Sequence, residues 1–152
     1  SLLEKWMKDE EGRYFLLSIG SAKFMSLDEM LDNKSNRIGI VKLQDNTPIG
    51  ITAFLNFDEE QKKAELRKII GNPDMRGKGY AKKASRLWIQ YGFETLDLRK
   101  IYLNTINTNI RNVKLNEKLG FRVEGVLHNE ILFDGQFHDV LRMGMLKNNT
   151  HK

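Results

Sequence analysis

The segment Asn72-Pro73-Asp74-Met75-Arg76-Gly77-Lys78-Gly79-Tyr80-Ala81 holds residue types that can grip an anion. Gly77 and Gly79 let the backbone turn tightly and aim its amides at a ligand. A helix starting straight after them adds unpaired N–H groups and the positive end of its dipole. Such a turn suits phosphate or pyrophosphate. Arg76, Lys78, Lys82, Lys83 and Arg86 form a basic run with no acid among them, able to make charge-assisted hydrogen bonds. The dinucleotide fingerprint G-x-G-x-x-G is not met, because position 82 is Lys, and no Gly-Lys-Ser/Thr of a P-loop follows. A structural strand-to-helix turn with a solvated basic helix end fits the same residues.

The elements around this turn follow from periodicity. Amphipathic helices are expected over residues 2–8 and 27–32, the second with Ser26 as N-cap and Glu29 three residues later. Residues 37–43 and 49–57 read as strands, with Ile49, Ile51, Ala53, Leu55 and Phe57 on one face. A third strand spans 63–70, placing Leu66 and Ile70 on one face and Glu65, Arg67 and Ile69 on the other. The helix at 79–95 carries Ala81, Ala84, Trp88, Tyr91 and Thr95 at three-to-four spacing. A strand at 100–106 and a helix at 110–119, stopped by Gly120, come next. Residues 121–127 and 130–146 are strand material, with Asp134-Gly135 as a hairpin signal. This order describes an α+β protein with a helix-covered mixed sheet, not a doubly wound parallel one.

Composition narrows the classes further. The chain has 152 residues, 40% apolar and 30% charged, which suits one domain over 1–152 and excludes a disordered tail. No apolar run nears the roughly 20 residues that span a bilayer, and no secretory apolar region follows the N-terminus. The absence of cysteine excludes disulfides, thiolate metal sites and an acyl-thioenzyme, and no metal is expected. A cytoplasmic location is the expectation. The net charge of +5 invites an anionic partner, yet most cations are interleaved with acids and no aromatic-basic interleaving of an RNA binder is present. Neither nucleic acid nor membrane is therefore expected as a partner.

Taken together, these features resemble the GNAT superfamily of acetyl-CoA-dependent N-acetyltransferases. Arg76-x-x-Gly79-x-Ala81 is similar to the family's pyrophosphate loop, and Asn109-Ile-Arg-Asn-Val-Lys-Leu-Asn-Glu-Lys-Leu-Gly-Phe121 to its cofactor-side helix. The run from Glu124 through Asp134-Gly135 to Met143 resembles the branch holding ribosomal-protein, spermidine and amino-sugar acetyltransferases. The resemblance covers about residues 37–147. Two departures stand out. The family's opening strand is missing or the chain is a fragment, since 2–8 already reads as the first helix. Where many members place a proton-donating tyrosine, this chain has Asn116, whose amide is not a useful acid.

The resemblance implies a mostly antiparallel central sheet, splayed at the cofactor cleft and flanked by helices. It implies acetyl-CoA as cofactor and a primary amine as acceptor, attacked directly in a ternary complex. An amino sugar is the expected acceptor. Protein N-termini, polyamines and a non-catalytic CoA-binding module are the alternatives, and a homodimer is compatible. The backbone of Lys68, Ile69 and Ile70 is expected at the pantetheine and oxyanion. Arg76, Gly77, Lys78, Gly79, Tyr80 and Ala81 are expected at the pyrophosphate, and Asn109 and Asn116 along the pantetheine arm. Glu65 is the base candidate, as a carboxylate on the strand lining the cleft, with a solvent-facing residue paired to Arg67 or Lys63 as the competing reading. Glu124, Glu130 and His138 with Asp139 are further candidates, and Asn104 and Thr105 are placed near the acceptor.

Overall fold

The computed structural model describes residues 1–18, 23–24 and 26–147. Helices α1 (Leu2–Trp6) and α2 (Glu10–Leu16) lead into a ribbon of β1 (Leu17–Ser18) and β2 (Lys23–Phe24), then α3 (Leu27–Asp32). Strands β3 (Arg37–Lys42), β4 (Pro48–Asp58) and β5 (Lys63–Ile70) precede a 3-10 turn at Pro73–Met75 and helix α4 (Tyr80–Glu94). Strand β6 (Lys100–Ile106), helix α5 (Ile110–Leu119) and the hairpin of β7 (Arg122–Phe133) and β8 (Gln136–Leu146) complete the order. No helix among the described residues is long and apolar enough to cross a membrane.

Six strands form one open sheet in the order β3-β4-β5-β6-β8-β7. Every neighbouring pair is antiparallel except β5 and β6. That parallel pairing runs through only Lys63↔Lys100, Ala64↔Ile101 and Glu65↔Tyr102. Beyond Glu65 and Tyr102 the two strands part, so the expected splay is present. The helices lie on both faces. Phe54, Leu66, Ile89, Phe93, Ile101 and Met143 pack on the α4 side, and Trp6, Phe15, Met30, Ile51, Leu55 and Ile69 pack beneath α1 to α3. Each fully buried side chain of this size contributes about 1.5–3 kcal/mol. A third cluster, with Ile106, Ile131, Phe133 and Val140, lies under the hairpin.

The expected strands, the two long helices and the Asp134-Gly135 turn are all found. Asp134 and Gly135 have φ of 52° and 78°, the pair of positive values a tight hairpin needs. Three details differ. Helix α2 carries no expectation, because Gly12 interrupts its helical signal. That glycine is required by proximity: an added Cβ would meet Met7 Cα and Trp6 O at 2.4 Å. On α4, Ser85, Ile89, Gly92 and Phe93 are buried and Tyr91 is exposed, so the inward stripe is rotated from the expected one. On β4, Asn56 adopts φ 53° within a bulge, and Phe57 therefore packs with Phe54 rather than with Leu55.

Candidate functional site

The glycine turn carries the conformation its sequence calls for. Gly77 and Gly79 have φ of +76° and +85°, and a Cβ at either would meet nothing within 4 Å. Gly79 is the N-cap of α4 and offers no side-chain cap, and the first turn holds no acid. The first backbone bond of the helix is Lys83 N–H to Gly79 O, at 3.1 Å. The amides of Tyr80, Ala81 and Lys82 thus have no intrahelical acceptor. A diphosphate is the kind of group that would satisfy them.

A groove of about 420 Å³ begins at this turn and runs between β5 and α5. Its cationic lining is Lys68, Arg76, Lys82, Arg111, Lys114 and Lys118, against the single carboxylate of Glu11. A smaller cavity of about 60 Å³ sits where β5 and β6 part, against α2. Tyr14, Phe15, Arg67, Asn104, Thr105 and Asn109 are among its walls. Glu11, Lys68 and Asn112 line both spaces and mark their junction.

The edge of β5 facing the gap can be read from its hydrogen bonds. Gly71 N–H donates to Ile49 O at 2.8 Å, so ladder alternation assigns the amide of Ile69 to β4. The N–H and C=O groups of Lys68 and Ile70 then face the gap. Arg76 corroborates this direction, since its Nε donates to Ile70 O at 2.7 Å. Lys68 and Ile70 are therefore the members of the expected backbone set that present amides. Ile69 instead buries its side chain in the cluster beneath α1 to α3.

Arg76 differs from its expected role. Its guanidinium is held by Asp9 at 2.8 Å and by the carbonyls of Ile70 and Gly71. It locks the start of α2 to the end of β5 and has little left for a phosphate. Burial pushes the Asp9 carboxyl up, but the Gly12 amide and Arg76 outweigh it and hold the group below its usual range. Lys78 is exposed and does not line the groove, and Lys83 faces the opposite side of α4.

Glu65 does not reach either cavity. It is 4% exposed, accepts from Arg67 Nε at 3.0 Å and from Asn56 Nδ2 at 3.2 Å. Arg67 in turn donates to Phe15 O at 2.6 Å, tying the last turn of α2 to β5. Glu65 is thus paired with Arg67, as the competing reading had it, but is buried rather than solvent-facing. His138 also lies away from the gap. Its Nε2 bonds Phe133 O at 3.1 Å, and Phe133 and Tyr14 stand between it and the small cavity. Asp139 turns to His128 and the Asn129 amide, and Glu124 pairs with Lys100 at 2.7 Å. Asn109 caps α5, accepting from Asn112 N–H at 3.4 Å.

Asn116 is fully buried and meets the site through Lys68. Lys68 Nζ donates to Asn116 Oδ1 at 2.6 Å and to Asn112 Oδ1 at 3.0 Å. Both amides donate to Thr105 Oγ1, at 3.2 and 3.3 Å, which fixes their oxygens toward the lysine. Lys68 is half-buried and lines both cavities. Burial pulls its ammonium down to about 7, with Glu11 pulling weakly the other way. The Lys68 side chain, Asn112 and Glu11 carried no site expectation. Arg111, Lys114 and Lys118 were missed too, although their i, i+3, i+7 spacing on one face of α5 signals a basic stripe.

A sheet parted at its one parallel seam, with an amide-rich basic turn at the mouth, suits an extended ligand that ends in phosphates. The model of the acetyltransferase (GNAT) domain matches residues 3–122, and the chain belongs to that family. The spermidine N(1)-acetyltransferase of Escherichia coli K12 is 34% identical over 116 residues, covering 76% of this chain and 61% of that protein. The putative ribosomal N-acetyltransferase YdaF of Bacillus subtilis 168 is 30% identical over 105 residues, covering 69% and 57%. The crystal structure of spermidine/spermine N-acetyltransferase SpeG from Vibrio cholerae in complex with manganese ions superposes with TM-score 0.71 at 31% identity. That superposition covers 78% of this chain and 69% of the other. The chain thus spans about three-fifths of the length of the curated spermidine relatives from Escherichia coli.

Proposed function

We propose that this chain transfers an acetyl group from acetyl-CoA to a primary amine, by direct attack with both substrates bound. The family uses acetyl-CoA as its acetyl donor, and the residues present fit that molecule. The observation that carries the reading is that the two cavities share Lys68, Glu11 and Asn112 in their linings, with the open glycine turn at one end. The coenzyme supplies an activated thioester. The turn from Gly77 to Ala81 and Lys82, Arg111, Lys114 and Lys118 supply amides and charge for its phosphates. Lys68 and Ile70 offer strand amides to an extended amide-bearing arm. Holding amine and thioester together in the gap can contribute about 7–11 kcal/mol to the rate.

The acceptor is read as a polyamine of the spermidine type, supported by the names of the relatives. None of the relatives reported above carries an amino sugar in its name, and that expectation finds no support. One observation favours a second reading, a protein N-terminus: Glu11 is the one carboxylate lining the small cavity, which suits a single ammonium. The test is release of free thiol from acetyl-CoA with spermidine, spermine, amino-sugar nucleotides and short peptides. Turnover with spermidine is expected. Silence with every amine, with CoA still bound by calorimetry, would leave a non-catalytic CoA-binding module.

A further inference from the structure

We propose that Lys68 is the acid that delivers a proton to the departing sulfur in this reaction. The proposal rests on the acetyl-transfer reading above. Chemistry between a group in the large groove and an amine in the small cavity must occur where the two meet. Lys68 is one of three residues at that junction, and the others are Glu11 and Asn112. Asn112 cannot donate a proton, and Glu11 is the carboxylate suited to hold the acceptor's ammonium. Tyr14 lines only the small cavity, and burial raises its hydroxyl above the ordinary value.

The hydrogen bonds of Lys68 suit a group that loses and regains one proton. An ammonium has three N–H donors. Two are taken by Asn116 Oδ1 and Asn112 Oδ1, which leaves one for the junction. A neutral amine retains two donors, enough for the same two oxygens. Thr105 holds both amides in place in either state. Among the described residues no carboxylate lies within ion-pair distance of Lys68 Nζ, so no counter-ion clamps the charge.

Burial favours release, while Glu11 on α2 supports the ammonium. Arg67 on β5, Arg76 on the turn, Lys82 on α4, and Arg111, Lys114 and Lys118 on α5 also line the two cavities. Strand β6 contributes only neutral Asn104 and Thr105. The acidity that results, about 7, lies in the range where proton transfer at neutral pH is efficient. In the step itself the amine nitrogen bonds to the acyl carbon as the carbon–sulfur bond breaks. The bonding pair leaves on sulfur, and one Lys68 proton joins it to give the free thiol. The proton shed by nitrogen passes to water in the groove, and Lys68 is recharged from the same water.

The test joins a titration to kinetics. Lysine side chains labelled with ¹³C at Cε are followed by NMR in the free protein, with Lys68→Arg assigning the signal. A midpoint near about 7 is expected, and one above about 9.5, close to an ordinary lysine, would overturn the proposal. Wild-type kcat should fall on the alkaline side of the same midpoint. Lys68→Met and Lys68→Arg should lose about 100-fold or more in kcat and lose that alkaline limb. Their affinity for CoA should stay within about threefold. A Lys68→Met enzyme with unchanged kcat, or a wild-type rate flat through the limb, overturns the assignment. If neither variant folds by thermal melting, the wild-type titration and pH profile decide alone. No thiol release by the wild type with any amine would sink the acetyl-transfer reading instead, whatever the NMR midpoint.

Discussion

Replacing Glu65 by Gln separates a catalytic carboxylate from a buried ion-pair partner. The Glu65 and Arg67 side chains are 6% and 9% exposed, so the pair is almost dry. Gln would keep the contact between Oε1 and Asn56 but turn an NH₂ toward Arg67 Nε, donor against donor. Arg67 would stay buried without its counter-ion. Removing one partner of such a pair costs about 3–5 kcal/mol. The retained Asn56 contact places Glu65→Gln at the lower end, about 3 kcal/mol, which is roughly 6–12 °C in Tm for a chain of this size. Circular-dichroism melting measures the drop. Rates taken well below the new Tm should stay within about threefold of wild type, with an unchanged pH profile. Glu65→Leu combined with Arg67→Met should melt higher than Glu65→Gln, losing mainly the donor to Phe15 O. A Tm shifted by less than about 2 °C, or a pH limb that vanishes in Glu65→Gln, would refute this reasoning.

Gly79→Glu puts a carboxylate at the mouth of the groove without a steric clash, since a Cβ there meets nothing within 4 Å. The left-handed backbone costs about 1–2 kcal/mol of stability, but calorimetric CoA binding should be abolished; unchanged affinity would remove the turn from the site. Lys114→Gln should weaken CoA binding by about threefold to tenfold at low salt and less at high salt, as a solvated phosphate contact does. The pH test concerns Asp9, whose pKa is lowered in the fold. Its stabilisation is therefore present above its unfolded value of 3.8 and lost as pH falls through the lower folded value. Asp9→Asn should melt below wild type at pH 7, and the gap should narrow as pH falls below 3.8; a gap that persists in acid would show that the Asp9–Arg76 pair is not its source.

Much of the scaffold was readable because it rests on local signals. Alternation gave β4 to β6, Gly120 stopped α5, and Asp134-Gly135 turned the last hairpin. The left-handed glycine turn was legible because Gly-x-Gly before a helix start calls for that backbone. The candidate site around Lys68 was far less so. Glu65 and Lys68 lie three residues apart on one strand, yet opposite pleats send one to Arg67 and the other to Asn116. Periodicity assigns the faces, but not which face opens on a cavity. That depends on β6 leaving β5 after Tyr102 and on α2 covering the opening, both long-range facts. Arg76 shows the same limit. A guanidinium beside a phosphate turn suits an anion, and only the position of Asp9, 67 residues away in sequence, reveals that it is already engaged.

The single parallel seam has a mechanical consequence. Three rungs join β5 to β6, whereas seven join β6 to β8, so the sheet is two leaves bound by a short spine. A guest that lays its own amides along the free edge of β5 becomes a temporary rung and stiffens the whole book. Grip and rigidity would then draw on one free energy. Deuterium uptake at residues 66–70 and 103–106 should slow in concert when the coenzyme enters, although no rung of the ladder joins those two stretches.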